Sequence, residues 1–233
     1  MIILVTNDDG INAKGIHILA ETLSKIATVY VAAPENNHSG AGHGLTVTVP
    51  LRANEVNFEG LSGKAWAING TPADCVKLAM EHLLPERPDV VVSGINDGPN
   101  LGTDVLYSGT VAGAMEGHLH GLPAIAVSVS LRKRAQEANF QLAADVAGEF
   151  AAKFVAGELP CTMLNINVPG LVPEDVNGLK YTYQGWRWYN EAYDRRIDPH
   201  GRQYFCRSCL PARLSWGLAF ISMRFTTFTC SEL

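Results

Sequence analysis

Four polar residues of this chain could together hold a hard cation. Asp8 and Asp9 are adjacent in the turn Asn7-Asp8-Asp9-Gly10, directly after the apolar run Ile2–Thr6. Two carboxylates held side by side repel unless a cation lies with them. Ser39 stands in the polar loop Pro34-Glu35-Asn36-Asn37-His38-Ser39-Gly40-Ala41-Gly42, which can present a hydroxyl and backbone N–H groups. Asn96, in Gly94-Ile95-Asn96-Asp97-Gly98-Pro99-Asn100, can offer an amide oxygen. Asp8, Asp9, Ser39 and Asn96 would make an all-oxygen shell, which selects Mg²⁺, Mn²⁺ or Ca²⁺ over zinc. Each piece also has a plainer reading. Asn, Asp and Gly are ordinary turn residues, and a glycine-bearing loop with neither the Rossmann fingerprint nor the Walker A pattern is weak evidence.

A different chemistry is offered by Tyr107-Ser108-Gly109-Thr110-Val111-Ala112-Gly113, which runs into a helix through Met115. A Ser N-cap followed by Gly109 and Thr110 leaves N–H groups and the positive end of the helix available to a phosphate. Ser and Thr also cap helices for stability alone. Gly113 and Gly117, four apart, would let this helix approach a sheet closely. His38 and His43 lie near the Ser39 loop. His118 and His120, two apart on a helix, face different directions and are not expected to share a ligand. Cys206-Arg-Ser-Cys209 is a bare CxxC without a second ligand pair at zinc spacing.

These loops need a scaffold, and the first 170 residues supply one by alternating short apolar runs with helical stretches. Continuous Val/Ile/Ala/Leu runs at Ile2–Thr6, Thr28–Ala33, Asp89–Ser93, Ala124–Ser128 and Met163–Asn167 read as strands buried on both faces. Thr71-Pro72-Ala73-Asp74 combines an N-cap, a proline at the first helical position and an acid three residues after the cap. The stripe Val76, Ala79, Met80, Leu83 follows, and Ala143, Ala147, Phe150 and Phe154 mark a further helix. The expected fold is α/β: a Rossmann-like, three-layer, doubly wound, mostly parallel sheet. In such a sheet ligands bind beyond the carboxyl ends of the strands, where Asp8, Asp9 and Asn96 fall.

Thr46–Val49 with Asn54–Phe58, and Ala65–Ile68, read as antiparallel strands inserted after the second βα unit. Tyr181–Tyr204, with Trp186, Trp188, Tyr189, Tyr193 and the turn Asp198-Pro199-His200-Gly201, reads as a long hairpin whose aromatics must bury on the core or on a second subunit. The chain divides into a catalytic core over 1–175 and a hairpin and arm over 176–233, the latter an expected oligomerisation region.

At 233 residues, with 47% hydrophobic and 18% charged residues, the chain can bury a sizeable core. A net charge of −5 argues against a nucleic-acid coat protein or a membrane-surface binder, both of which want a basic face. Five irregularly spaced cysteines are unlike a secreted disulfide framework, and the short N-terminal apolar run lacks the basic start of a signal peptide. A cytoplasmic protein, without a membrane or a stable nucleic-acid partner, is expected.

The strings IILVTNDDGINAKGI, VAAPENNHSGAG, INGTPADCV, PDVVVSGINDGPNLGTDVLYSGTVAGA and PAIAVS resemble the survival protein SurE family of metal-dependent nucleotide phosphatases over roughly residues 1–130. The segment Arg196-Ile197-Asp198-Pro199-His200-Gly201-Arg202 also resembles that family's hairpin. The resemblance implies hydrolysis of nucleoside 5′-monophosphates, with 3′-monophosphates and short polyphosphate as further substrates, and a homodimer or homotetramer. It implies one divalent cation per subunit, Mg²⁺ or Mn²⁺, on Asp8, Asp9, Ser39 and Asn96, the four residues that strand-end logic selects. Asp8, Asp9 and Asn96 are then the catalytic candidates, and Ser39, Gly40, Ser108, Gly109 and Thr110 the phosphate-binding ones. Leu210–Leu233, basic and cysteine-bearing, departs from the family's acidic, glycine-bearing close.

Three rivals are weighed. A haloacid-dehalogenase-like phosphoenzyme wants DxDx[TV] after the first strand, where this chain has Asp8-Asp9-Gly10. A response-receiver domain needs a phospho-accepting Asp at the end of a later central strand, which Val31–Pro34 and Val92–Asn96 do not offer. A non-catalytic nucleotide-binding Rossmann-like protein would account for the glycines and the helix N-terminus but not for the acid pair.

Overall fold

The computed structural model describes residues 1–130, 136–171, 173–187, 192–208, 214–215 and 226–229. β1 (Ile2–Thr6), β2 (Thr28–Pro34), β5 (Val90–Asp97), β6 (Ala124–Val129) and β7 (Met163–Val168) are all apolar runs and pair in parallel. β4 (Ala65–Ile68) adds in parallel beside β2, and β3 (Ala53–Val56) closes that edge antiparallel to β4. At the other edge β13 (Thr226–Thr229) runs parallel to β7 and antiparallel to β8 (Lys180–Thr182). Among the described residues the sheet order is β3-β4-β2-β1-β5-β6-β7-β13-β8. The expected doubly wound α/β architecture is therefore present.

Helices cover both faces. Residues Ile3 and Val5 of β1 pack with α1 (Lys14–Ser24) and α4 (Gln136–Val155) through Ile16, Leu19, Ala147 and Phe150. Leu4 points the other way, into a second cluster with α2 (Pro72–Leu78) and α3 (Gly109–Leu119) through Val76, Val111 and Ala114. The two clusters follow from the strand's alternation of side chains between faces. At α2 the Thr71 hydroxyl accepts from the Asp74 N–H while the Asp74 carboxylate accepts from the Thr71 N–H, a complete capping box as the sequence suggested. A π-helical turn at Ala79–Leu83 continues α2.

Three features depart from expectation. Thr46–Val49 forms no strand: Val47 is 86% exposed, and the Thr46 N–H donates to the Asp74 carboxylate instead of a ladder. β propensity alone is insufficient where no strand edge is offered. Ala65–Ile68 is antiparallel to β3 alone; its other side joins the central sheet in parallel. The long hairpin is shorter than Tyr181–Tyr204. It pairs β10 (Ala192–Ile197) with β11 (Gln203–Ser208) around Asp198–Arg202, while Tyr181 belongs to β8 and Trp186 to the separate β9 (Trp186–Arg187). β9 pairs with β12 (Leu214–Ser215). Trp188, Tyr189 and Cys209 lie outside the described residues. Among the described helices none is long and apolar enough to cross a membrane.

Candidate active site

The strand order places the acid pair. β1 has β2 on one side and β5 on the other, so the chain winds outward through β2 and then returns to continue through β5, β6 and β7. That reversal is the topological switch point, where the loops after two adjacent strands part and open a crevice. Asp8 and Asp9 follow β1, and Asn96 ends β5 across the crevice.

β5 reaches further than its apolar run. Ser93 lies opposite Ala126 and Asn96 opposite Ser128, so one extra residue bulges from β5 between them. Bulges re-aim the side chains that follow. Only glycine fits the bulge, since Gly94 has φ +140° and a Cβ there would stand 2.3 Å from the Val127 carbonyl oxygen. The strand therefore continues to Asp97, past the expected end at Ser93, and carries Asn96 to the crevice. The Asn96 side-chain amide donates to the Gly98 carbonyl, which leaves its own oxygen as the donor atom for a cation.

The turn after β1 is closed by its first residue: the Asn7 side chain donates to the Gly10 carbonyl and accepts from the Gly10 N–H at 2.9 and 3.2 Å. Asp8 is buried and accepts from the Thr110 hydroxyl and from the Gly109 and Thr110 N–H groups. Asp9 accepts from the Asn37 side chain and from the Asp97 N–H, both at 3.3 Å. Burial raises the Asp8 carboxyl above its usual range against those hydrogen bonds. Burial also raises Asp9, helped by the negative charges of Asp8 and Asp97. A buried carboxylate next to a half-buried one, each made harder to ionise by its surroundings, is the electrostatic setting that a divalent cation relieves. Among the described residues no three His, Cys, Asp or Glu side chains form a metal cluster, so a cation here would need the Ser39 hydroxyl and Asn96 amide beside the acids. Such a hard oxygen set, two carboxylates with two neutral groups, would suit Mg²⁺ or Mn²⁺.

Asp8, Ser39, Gly40, Asn96 and Ser108 open on one cavity of about 800 Å³. The Ser39 loop is tied in from both ends. The His38 N–H donates to the Asp8 carbonyl at 2.7 Å, the Ser39 N–H to the Asn37 side chain at 2.8 Å, and the Gly42 N–H to the Tyr107 carbonyl at 3.1 Å. Beyond it His43 Nε2 meets the buried Glu116 carboxylate at 2.8 Å. Gly109, Gly113 and Gly117 line the sheet-facing side of α3. A Cβ on Gly109 would come within 2.7 Å of Asp8 Cβ, and one on Gly117 within 2.5 Å of Val91. The close approach suggested by the spacing of Gly113 and Gly117 is therefore real, and it seats the α3 N-terminus on Asp8. Ser108 Oγ accepts from the Val111 N–H, as an N-cap does. His118 and His120 turn to different backbone carbonyls, those of Leu122 and Glu116.

Several contributors carry no signal in the sequence. Asn37 bridges Asp9 and the Ser39 backbone. Asn100, Asn165, Asn167 and Ser128 form a buried hydrogen-bonded cluster that ties the loop after β5 to the ends of β6 and β7. Trp186 and Arg187 form an outer wall of the cavity. They lie far from the acids in sequence, and only chain packing brings them near.

Comparisons with known proteins agree with this fold. The family model described as Survival protein SurE matches residues 3–191. A 5′-nucleotidase SurE from Moorella thermoacetica is 52% identical over 206 residues, covering 88% of this chain and 78% of its own. Its counterpart from Heliobacterium modesticaldum is 51% identical, covering 88% and 75%. The crystal structure of the SurE protein from Aquifex aeolicus superposes with a TM-score of 0.76 at 37% identity, over 98% of this chain and 92% of that one. With fold and family match in agreement over most of its length, the chain belongs to the survival protein SurE family.

Proposed function

We propose that the chain is a phosphoric monoester hydrolase that converts nucleoside 5′-monophosphates to nucleoside and phosphate, with 3′-monophosphates and short polyphosphate as further substrates. The observation that carries this reading is the adjacent acid pair at the switch point, whose buried member Asp8 is seated against a helix N-terminus and lines a cavity of about 800 Å³. The relatives named 5′-nucleotidase SurE support it at about half identity. A non-catalytic nucleotide binder gives no reason to hold two repelling carboxylates side by side.

Asp8, Asp9, Ser39 and Asn96 would hold one Mg²⁺ or Mn²⁺ per subunit. When bound, such a cation neutralises phosphate charge and lowers the pKa of a coordinated water. The chain's own residues do the rest. Ser108 Oγ is already an acceptor from Val111, so its hydroxyl proton remains to donate to a phosphate oxygen. The Gly40 N–H adds a donor, and the positive end of α3 a favourable field, where charge builds during in-line displacement, while the Gly109 and Thr110 N–H groups stay on Asp8. The Thr110 hydroxyl is committed to Asp8 and orients it. Water supplies the oxygen that joins phosphorus as the ester P–O bond breaks, and the 5′-oxygen leaves with a proton. The protein acts as a homodimer or homotetramer in the cytoplasm, with the exposed aromatics of β10 and β11 as the subunit contact.

Phosphate release from a panel of nucleoside monophosphates, with EDTA and then with Mg²⁺ or Mn²⁺ restored, tests the reading. Activity that disappears with EDTA, returns with metal, and is lost in Asp8→Asn and Asp9→Asn is the expected result. Release that ignores EDTA or survives both substitutions overturns it.

A further inference from the structure

The cavity has two kinds of lining. Asp8, Ser39, Asn96 and Ser108 are polar, and Tyr107, next to Ser108 in the chain, and Trp186 are aromatic. Trp186 is 41% exposed and Tyr107 66% exposed, so both rings present substantial surface to solvent. The short strand that carries Trp186 is fastened to the turn that carries Tyr107. Arg187 Nη1 meets Asp104 Oδ2 at 2.6 Å, the Thr103 hydroxyl donates to the Arg187 carbonyl at 2.8 Å, and the Gln184 side chain donates to the Gly102 carbonyl. Gly102 lets the two backbones meet: a Cβ there would stand 3.0 Å from the Arg187 N. Tyr107 is held in turn by the Gly42 N–H on its carbonyl. Three contacts and a glycine thus fix an aromatic wall to the cavity that Asp8, Ser39, Asn96 and Ser108 also line.

The charge balance says what that wall is for. The cavity lining carries the carboxylates of Asp8, Asp97 and Asp104 against one guanidinium, Arg187, which is paired with Asp104. Among the described residues this rim offers a dianionic phosphomonoester no unpaired guanidinium, so an uncharged contact suits the rest of the molecule. Aromatic faces provide one, because every nucleobase has a π surface that stacks on Trp or Tyr.

We propose that Trp186, with Tyr107 beside it, is the platform on which the nucleobase stacks, so that this wall makes the site select base-bearing phosphomonoesters over those without a base. The inference rests on the nucleotidase reading above and adds the residue that discriminates among its substrates. Trp186 is a specificity residue; it touches the base and not the reacting phosphate.

The test compares kcat/KM for AMP and for ribose 5-phosphate, which differ by the base, in the full chain and in Trp186→Ala, Trp186→Leu and Trp186→Phe. The ratio of the two is expected to fall roughly five- to a hundredfold in the Ala and Leu variants and to stay within a few-fold in Phe. Leu keeps the apolar bulk without the π face, so it decides the matter if the Ala variant does not fold. A ratio equal in Leu and Phe variants, or unchanged in either truncation, overturns the proposal. Calorimetric titration with adenosine in the presence of Mg²⁺ separates this from the hydrolase reading. If no variant, wild type included, releases phosphate, the hydrolase reading fails; weaker adenosine binding in Trp186→Leu then still supports the platform, and equal binding refutes it.

Discussion

Two acidic turns in this molecule share their local chemistry and differ in everything else. Asn7-Asp8-Asp9-Gly10 and Asp198-Pro199-His200-Gly201 each close on a side-chain oxygen of the first residue, and each ends on a glycine at positive φ, +100° at Gly10 and +80° at Gly201. In the hairpin turn the Asp198 carboxyl is held below its usual range, first by the Arg202 N–H and also by the His200 N–H and the Arg202 side chain. At the end of β1 burial raises Asp8 and Asp9 instead. A turn at the tip of a two-stranded hairpin leaves its carboxylate in water, where donors win. A turn at the switch point of a central sheet is roofed by α3 and by the Ser39 loop, so desolvation wins. Local sequence makes a turn; its place in the fold makes a site.

The largest way to sharpen this contrast is to neutralise one acid in each turn. Asp8→Asn is expected to lower kcat by about a hundred- to a thousandfold, as loss of a charge-stabilising group does. Asp198→Asn leaves turnover near wild type. Comparable losses in steady-state kinetics would erase the distinction between the turns.

A smaller effect follows from a single methyl group at each place. Gly109→Ala sets a Cβ against Asp8 and should cost about 1–3 kcal/mol in chemical denaturation, with a loss in kcat of up to about a hundredfold from misplaced groups. Gly201→Ala meets nothing within 4 Å and bears only the strain of positive φ, about 1–2 kcal/mol, without a change in kcat. Equal kinetic behaviour of the two would mean that the α3 contact with Asp8 is not exacting.

Glu116→Gln tests the anchoring of the Ser39 loop. It removes the carboxylate that meets His43 Nε2 and should cost about 1–2 kcal/mol in denaturation, together with a rise in KM. A KM equal to wild type would show that the loop is held without this contact.

The smallest effect is on stability against pH in metal-free protein. Asp8 and Asp9 have folded pKa values above the unfolded one, so their ionisation disfavours the folded state; they weaken it at neutral pH and cease to as pH falls towards the ordinary carboxylate range. Asp198 and Asp74 are depressed, so the stability they contribute is present above the ordinary range and is lost as pH falls below it. At Asp74 burial works against this, and the hydrogen bonds from Thr46 and Thr71 outweigh it. In EDTA at pH 7, Asp8→Asn should therefore raise the melting temperature slightly and Asp198→Asn lower it. Opposite signs would reverse the electrostatic contrast drawn here.

Much of this molecule was legible along the chain, and the residues show why. β1 at Ile2–Thr6 is a run of apolar and β-branched residues, and the α2 cap lies within four residues, Thr71 to Asp74. Ser108 and Val111 form their N-cap contact three residues apart. Such features depend on neighbours along the chain, so propensity and spacing reveal them. Thr46–Val49 has the propensity of a strand and finds no edge, because whether an edge exists is decided elsewhere.

The sequence by itself determined the five central parallel strands, the caps, the turn that holds Asp8 and Asp9, and the residue types able to bind a cation. Tertiary structure alone decided that β5 lies beside β1, that the bulge at Gly94 turns Asn96 to the crevice, and that Trp186 walls the same cavity. The physical reason is separation. Thr110 and Asp8 are 102 residues apart, Asp97 and Asp9 are 88, and Arg187 and Asp104 are 83. No local rule reaches across such distances; the packing of two helical layers on one sheet does.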